Sequence, residues 1–311
     1  NHFDRVAVEQ FLNRMSDRMN TKLGRMGGSN LRAAFTDSFE LEGANWDKNM
    51  LAEFKRRRGY SLEPYLPYLI FKVGEMGNPV KEKYGSEFSP EVQEEVINRV
   101  RNDFDLTQRE LFHEAFTIPY NKWCHRNGML SRVQAYGRGL HTLESSMYID
   151  IPECETWFGH HHGTSFPDNS MAGRGYTMVN KFVSSAAHLA GNPNVSCEEI
   201  TNTGWVFNAT LEKLKLTGDL SNLSGVNHSI FHGFNYSPKE APFPGWLRYG
   251  TYFSERNPWW PYLRHWMDYK ARLSAVLQNS EQQADVAILP PVEDMWSKFG
   301  SQRDPFPQLT Y

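Results

Sequence analysis

Cysteine is scarce in this chain. Cys124, Cys154 and Cys197 are the three present in 311 residues, with no spacing that suits a metal site. They read as small buried residues and leave the redox compartment open. No apolar run approaches the length of a membrane span. Charge of one sign is not massed either. The formal net charge is −3, too small to point to nucleic acid, and Lys and Arg are scattered apart from Lys55-Arg56-Arg57-Arg58. That run reads as a solvated helix end. No internal repeat is visible, and no secretory leader opens the sequence. Asn1-His2-Phe3-Asp4 passes straight into an amphipathic stretch, as expected of a segment excised from a longer protein. Aromatic residues, by contrast, are plentiful. Nine Trp, 14 Tyr and 20 Phe sit in a chain that is 40% hydrophobic, enough for a sizeable core. Aromatic faces also stack on the C–H faces of sugar rings, so this load suits a carbohydrate-handling protein.

The pattern alternates between helical and strand-like stretches. Residues 4–25 have helical spacing, and Leu31 to Phe35 reads as a strand. Asp47 to Arg58 reads as a helix stopped by Gly59. Residues 60–89 form an irregular excursion. Pro90 opens a long helix to about Asn127, which Pro119 should kink or interrupt. Strands are expected at Met129–Ala135, near Met147–Ile151, at Val195–Glu198, at Val226–Phe231 and, last, at Ala284–Leu289. Helices are expected at Tyr176–Ala190, Trp205–Leu216 and Pro258–Leu277. Strands separated by helices predict a parallel sheet with crossovers. Polar residues at the strand ends predict a TIM-type (β/α)8 barrel with its site at the C-terminal face. The count reaches about five or six strand–helix units rather than eight. Either further strands lie hidden in the irregular stretches, or the barrel's first units lie upstream of Asn1 and it is incomplete at the N-terminus of this chain. Residues 1–283 would form the catalytic barrel, and 284–311 a last strand and tail or the start of a following domain.

Four carboxylates stand where these patterns meet. Glu40 ends Phe35-Thr36-Asp37-Ser38-Phe39-Glu40, and Glu198 ends Val195-Ser196-Cys197-Glu198. Glu153 and Glu155 lie between, in Asp150-Ile151-Pro152-Glu153-Cys154-Glu155. Two carboxylates brought from different strands are what glycosidic-bond hydrolysis requires. Asp37 and Trp46 fall beside Glu40 as candidate substrate contacts, although Asp37 or Ser38 equally suits a helix cap. Gln134 and Tyr136 offer an amide and a phenol to sugar hydroxyls. Asn227, His228, His232, Tyr236 and Trp246 form a candidate polar and aromatic rim. The acids around Pro152 are expected on a stiffened turn, where uneven oxygen-rich spacing suits Ca²⁺. His160-His161-His162 completes no tetrahedral set and reads as substrate contact or surface loop. Of Glu198 and Glu199, strand alternation sends one to the barrel mouth and the other to the helices, and Glu198 is assigned inward.

These segments, in order, resemble glycoside hydrolase family 106, the α-L-rhamnosidases. The likeness extends through Glu53-Phe54-Lys55-Arg56-Arg57-Arg58-Gly59-Tyr60, Gln134-Ala135-Tyr136-Gly137 and Gly225-Val226-Asn227. It ends with His232-Gly233-Phe234-Asn235-Tyr236-Ser237-Pro238 and Pro244-Gly245-Trp246, so it runs from about residue 3 to 290. The resemblance implies a barrel within a much longer multidomain protein, inverting hydrolysis, and a Ca²⁺ that helps hold sugar hydroxyls. By position it implies Glu40 as general acid, Glu198 as general base, and Glu153 or Glu155 as a calcium ligand. It also implies flanking domains and a periplasmic or extracellular bacterial setting. Residues 159–175 are longer than the pattern, and Cys154 and Cys197 stand where Thr or Ala is expected. The leading expectation is an exo-acting inverting α-L-rhamnosidase acting on a plant or algal polysaccharide or glycoside. A related glycosidase for another deoxyhexose or a uronic acid, and a non-catalytic carbohydrate-binding barrel, are the competing readings.

Overall fold

A computed structural model of the chain describes residues 1–24, 30–39, 46–69, 90–136, 140–158, 171–202 and 204–294. It divides into two compact units, Asn1–His141 with the described part of Ala287–Pro305, and Thr142–Val286. Each is an assembly of parallel strands and helices.

The first unit opens with α1 (Arg5–Leu23), capped by Asp4, whose carboxylate accepts from the backbone N–H of Val6 and Ala7. Strand β1 (Ala33–Thr36) pairs in parallel with β2 (Leu130–Val133). Between them lie α2 (Met50–Arg58), a 3₁₀ turn at Glu63–Leu69 and a long helical stretch. Gly59 ends α2 at φ 83°, the left-handed cap that the sequence signals. The long stretch comprises α3 (Pro90–Val92), α4 (Asn98–Phe112) and α5 (Ile118–Arg126), joined by π-turns at Gln93–Ile97 and His113–Thr117. The second π-turn sits immediately before Pro119, so the widened turn interrupts the α pattern where a proline lacks its N–H. Met50, Phe54, Leu62, Val100, Phe104 and Leu111 form the core here.

The charge run in α2 is solvated only in its first half, Lys55 and Arg56. The Arg57 side chain is only 9% exposed, and it bonds Glu53, Glu110 and Glu114, while Arg58 bonds Glu110. Planar guanidinium forks tie α2 to α4 and to the following π-turn.

In the second unit, α6 (Thr142–Ser146) precedes β3 (Ile151–Phe158). The expected strand at Met147–Ile151 is thus displaced, and the acids around Pro152 lie on a strand, not on a turn. Pro152 precedes Glu153, the first residue paired with β4, so its missing N–H breaks none of those bonds. Then come α7 (Met171–Ala190), β4 (Ser196–Asn202), α8 (Leu211–Leu223), β5 (His228–Phe231), a 3₁₀ turn at Trp260–Tyr262 and α9 (Leu263–Gln278). Strands β3, β4 and β5 pair in parallel in chain order. Helix α8 starts later than the expected Trp205, because Thr210 supplies the N-cap by accepting from Lys213 N–H.

One face of this sheet meets the helices. Cys154 and Cys197, register partners on β3 and β4, pack with Val183, Ala187, Val195 and Val226. Further along, Phe158, Ile200, Leu214, Phe253 and Trp266 continue the apolar layer. Full burial of such side chains contributes about 1.5–3 kcal/mol each. Gly225, at φ 102°, joins α8 to β5, and a Cβ there would lie 2.6 Å from the Ser184 Cβ.

The expected last strand, Ala284–Leu289, is not a strand. It runs without a ladder, and Val286, Ile288 and Leu289 are 77%, 87% and 95% exposed. An apolar run reads as a strand only if a neighbour receives it. Among the described residues no helix is long and apolar enough to cross a membrane.

Candidate active site

Strand alternation sorts the acids of the second unit onto two faces. Glu199 turns to the helices, where it is fully buried and its Oε1 lies 3.0 Å from Lys270 Nζ on α9. The same ammonium donates to Asn222 Oδ1 at 2.8 Å and to the Gly218 carbonyl. Glu198 therefore belongs to the opposite face. There it is the register partner of Glu155, and Glu153 is the partner of Ser196 one step lower. Adjacent strands lie roughly 4.7–4.9 Å apart, so Glu155 and Glu198 stand side by side. Glu153 is 1% exposed and accepts a hydrogen bond from Ser196 Oγ.

Glu198 is the third residue of β4, not its last. The strand continues because a bulge at Ile200, with φ 71°, resets its alternation. Glu199 and Ile200 both turn to the helices, and Thr201 returns to the face of Glu198. The irregularity has a visible consequence at His232, just past β5. Its Nδ1 lies 2.8 Å from Glu198 Oε1 and 3.2 Å from Thr201 Oγ1. Both partners are polar, and the Glu198 and His232 side chains are 21% and 25% exposed, so the pair stays open to solvent. The His232 backbone N–H donates to the Glu199 carbonyl, and its carbonyl accepts from Thr251 N–H. Thr251 Oγ1 in turn donates to the Ile200 carbonyl, pinning the bulge.

The remaining expected residues divide. His228 begins β5, half-buried, as register partner of Ser196. Tyr236 and Trp246 are 81% and 75% exposed on the connection that follows β5. That connection is held by Asn235 Nδ2, which donates to the Pro244 carbonyl, and by Gly245 at φ 85°, where a Cβ would collide with Ser237 Oγ. The two segments of the Asn235–Ser237 and Pro244–Trp246 pattern are thus brought together by packing. Asn227 stands elsewhere in the second unit. It is 7% exposed at the N-terminal end of β5, with Oδ1 accepting from Val195 N–H and Nδ2 donating to the Pro193 carbonyl. Its amide clamps the strand starts.

In the first unit, Asp37 follows β1, exposed, and its Oδ1 accepts from Ser38 N–H. Gln134 is fully buried, and its Oε1 accepts from the Tyr136 hydroxyl at 2.6 Å. Trp46 is 41% exposed, 6.1 Å from the Phe104 ring. Phe39 packs edge-on against Phe112 and Phe116 at 4.7 and 5.0 Å. Glu40 and His160–His162 lie outside the described residues. Residues that the sequence reading missed include Thr201, Lys270 and Trp205, the last 87% exposed after β4. Lys270 follows Trp266 by one helical turn, a spacing that places both on one face.

For a hard cation, Glu153 and Glu155 supply the right donor chemistry from one face. Among the described residues, no group of three or more His, Cys, Asp or Glu side chains gathers to hold a metal ion. Protein carboxylates in the described part do not by themselves complete a shell.

A parallel strand–helix scaffold with a row of carboxylates on the face away from its helices, and exposed Trp and Tyr beyond the strand ends, is the equipment of a carbohydrate-cleaving hydrolase. Comparison with known proteins agrees. The sequence matches glycoside hydrolase family 106, alpha-L-rhamnosidase, over residues 1–307, and the chain belongs to that family. It is similar to a putative beta-glucuronidase of Formosa agariphila, 32% identical over 268 residues, which are 86% of this chain and 20% of that protein. It is also similar to the solved rhamnosidase of Novosphingobium sp. PP1Y, with TM-score 0.69 and 25% identity over 90% of this chain and 25% of that one. The chain therefore spans about a fifth to a quarter of the length of these relatives.

Proposed function

We propose that this chain is the catalytic (β/α)8-type portion of an exo-acting, inverting α-L-rhamnosidase, with Glu198 as general base and Glu40 as general acid. The observation that carries the reading is the placement of Glu198. It projects from a central strand, on the face away from the helices, partly exposed to solvent and with one oxygen against His232. In the proposed step, Glu198 removes a proton from water as the water oxygen bonds to the anomeric carbon. The bond from that carbon to the leaving oxygen breaks, and Glu40 delivers a proton to the departing oxygen. Family membership supports both roles, and the solved rhamnosidase supports the sugar.

Calcium enters the proposal as an ion held by Glu153 and Glu155, with substrate hydroxyls among its remaining ligands; when bound, it would orient the sugar. Chelation should then depress activity, and added Ca²⁺ should restore it. Activity indifferent to a chelator would remove the ion from the account. Carbohydrate is the proposed partner, with flanking domains in the parent protein and a periplasmic or extracellular site of action.

A second reading rests on one finding, the relative called a putative beta-glucuronidase. It keeps the same carboxylates and changes the sugar to a uronic acid. A panel of aryl glycosides offered to the full-length protein separates the two. Release from the α-L-rhamnoside, with none from the β-D-glucuronide, is expected. The reverse would replace the first reading by the second, and release from neither would favour a binding barrel.

A further inference from the structure

We infer that His232 is the positioning residue of the proposed base, and that it acts through its Nδ1 hydrogen rather than by touching sugar. This rests on the assignment of Glu198 above. Nδ1 stands 2.8 Å from Glu198 Oε1, the separation of a direct hydrogen bond. A carboxylate accepts and does not donate when ionised, so Nδ1 carries the hydrogen in this contact. Pinning one oxygen fixes the plane of the carboxylate, and with it the direction in which Glu198 can receive a proton from water.

Three features hold the imidazole in that position. Backbone bonds on both sides lock residue 232, from its N–H to the Glu199 carbonyl and from Thr251 N–H to its carbonyl. The bulge at Ile200 brings Thr201 Oγ1 to within 3.2 Å of the same ring nitrogen, where it is a second, longer acceptor of the Nδ1 hydrogen. The Ile200 carbonyl is itself held by Thr251 Oγ1 at 2.8 Å. A β-branched residue in the left-handed region is strained, and such strain persists where surrounding structure over-determines it. Here it places two side chains, three residues apart on one strand, around a single nitrogen.

The test compares His232→Asn with His232→Gln in the full-length protein. Asparagine presents an N–H where Nδ1 stands, and glutamine presents one where Nε2 stands. Displacing a reacting group by about 1 Å can cost roughly 10²-fold. The expected result is a kcat within a few fold of wild type for His232→Asn and a fall of roughly 10²-fold for His232→Gln, with KM little changed in both. Thr201→Val should show a smaller fall of the same kind. A raised KM with kcat intact would make His232 a sugar contact and overturn the inference. So would equal loss in both variants, or retention by glutamine alone. Glu198→Gln is assayed alongside: full activity there removes the base assignment, and this inference with it. An inactive Glu198→Gln with the wrong His232 pattern overturns the positioning role alone.

Discussion

Glu198 and Glu199 are chemically the same and adjacent, and the pleat of one strand gives them opposite surroundings. Glu199 meets an ammonium in the buried layer between strand and helix. Glu198 meets an imidazole on the open face. Only the second environment suits a group that must accept a proton from water during turnover. Replacing Glu198 by Gln should therefore lower kcat by about 10²–10⁴-fold, the usual cost of losing general base catalysis. Glu40→Gln should fall comparably on a poor leaving group. An activated aryl leaving group needs little protonation, so it should restore much of the rate to Glu40→Gln and little to Glu198→Gln. Initial rates on paired aryl rhamnosides decide this, and equal rescue of both would mean the roles are misassigned. The two faces were legible in the sequence, because alternation needs only a strand. Thr201 was not. Its position depends on a bulge at Ile200, an isoleucine at φ 71°, a conformation that side-chain chemistry argues against.

At the scale of elements, helices are fastened to strands and to each other by charge as well as by apolar contact. Lys270 on α9 and Glu199 on β4 are 4% and 0% exposed, so each is the other's only compensation in charge within the layer described. Lys270→Met should leave the Glu199 carboxylate uncompensated and cost about 3–5 kcal/mol of stability. The double variant Lys270→Met, Glu199→Leu should recover most of that loss. Denaturant unfolding measures both, and a double variant no better than the single would show that the pair is not coupled. The α2 network makes a different, pH-dependent prediction. Hydrogen bonds from Arg56 and then Arg57 hold Glu53 below its ordinary range. Burial works to raise Glu110, but bonds from Arg58 and Arg57 outweigh it and leave that carboxyl lowered too. A depressed folded pKa gives stability that is present above the unfolded value, about 4.3, and is lost as pH falls through the folded one. Thermal melts should thus drop more steeply below about pH 4.5 for wild type than for Glu110→Gln. Parallel curves would contradict it. The basic run reads as solvent-facing in sequence because two of its acidic partners, Glu110 and Glu114, lie more than fifty residues away, beyond any local pattern.

At the scale of the whole molecule, the order of strand and helix was readable because each parallel strand needs a crossover, and crossovers carry helical spacing. Boundaries were less so. Glu198 looked like a strand end because Glu-Glu breaks an apolar run, yet β4 continues to Asn202 once its second acid finds Lys270. Ala284–Leu289 looked like a strand because it is apolar, although nothing described pairs with it. The site was partly legible for the same reason: residue types reveal which groups can do acid–base chemistry, while spending of the Asn227 amide on Pro193 and Val195 is set by tertiary contacts. The claim that joins these observations is that this chain carries the base of an inverting α-L-rhamnosidase. The most direct measurement is proton NMR of an aryl α-L-rhamnoside during its first minutes with the full-length protein. The account predicts that β-L-rhamnose appears first and equilibrates later, with no early product from Glu198→Gln. Appearance of the α anomer first, or undiminished release by Glu198→Gln, would contradict it.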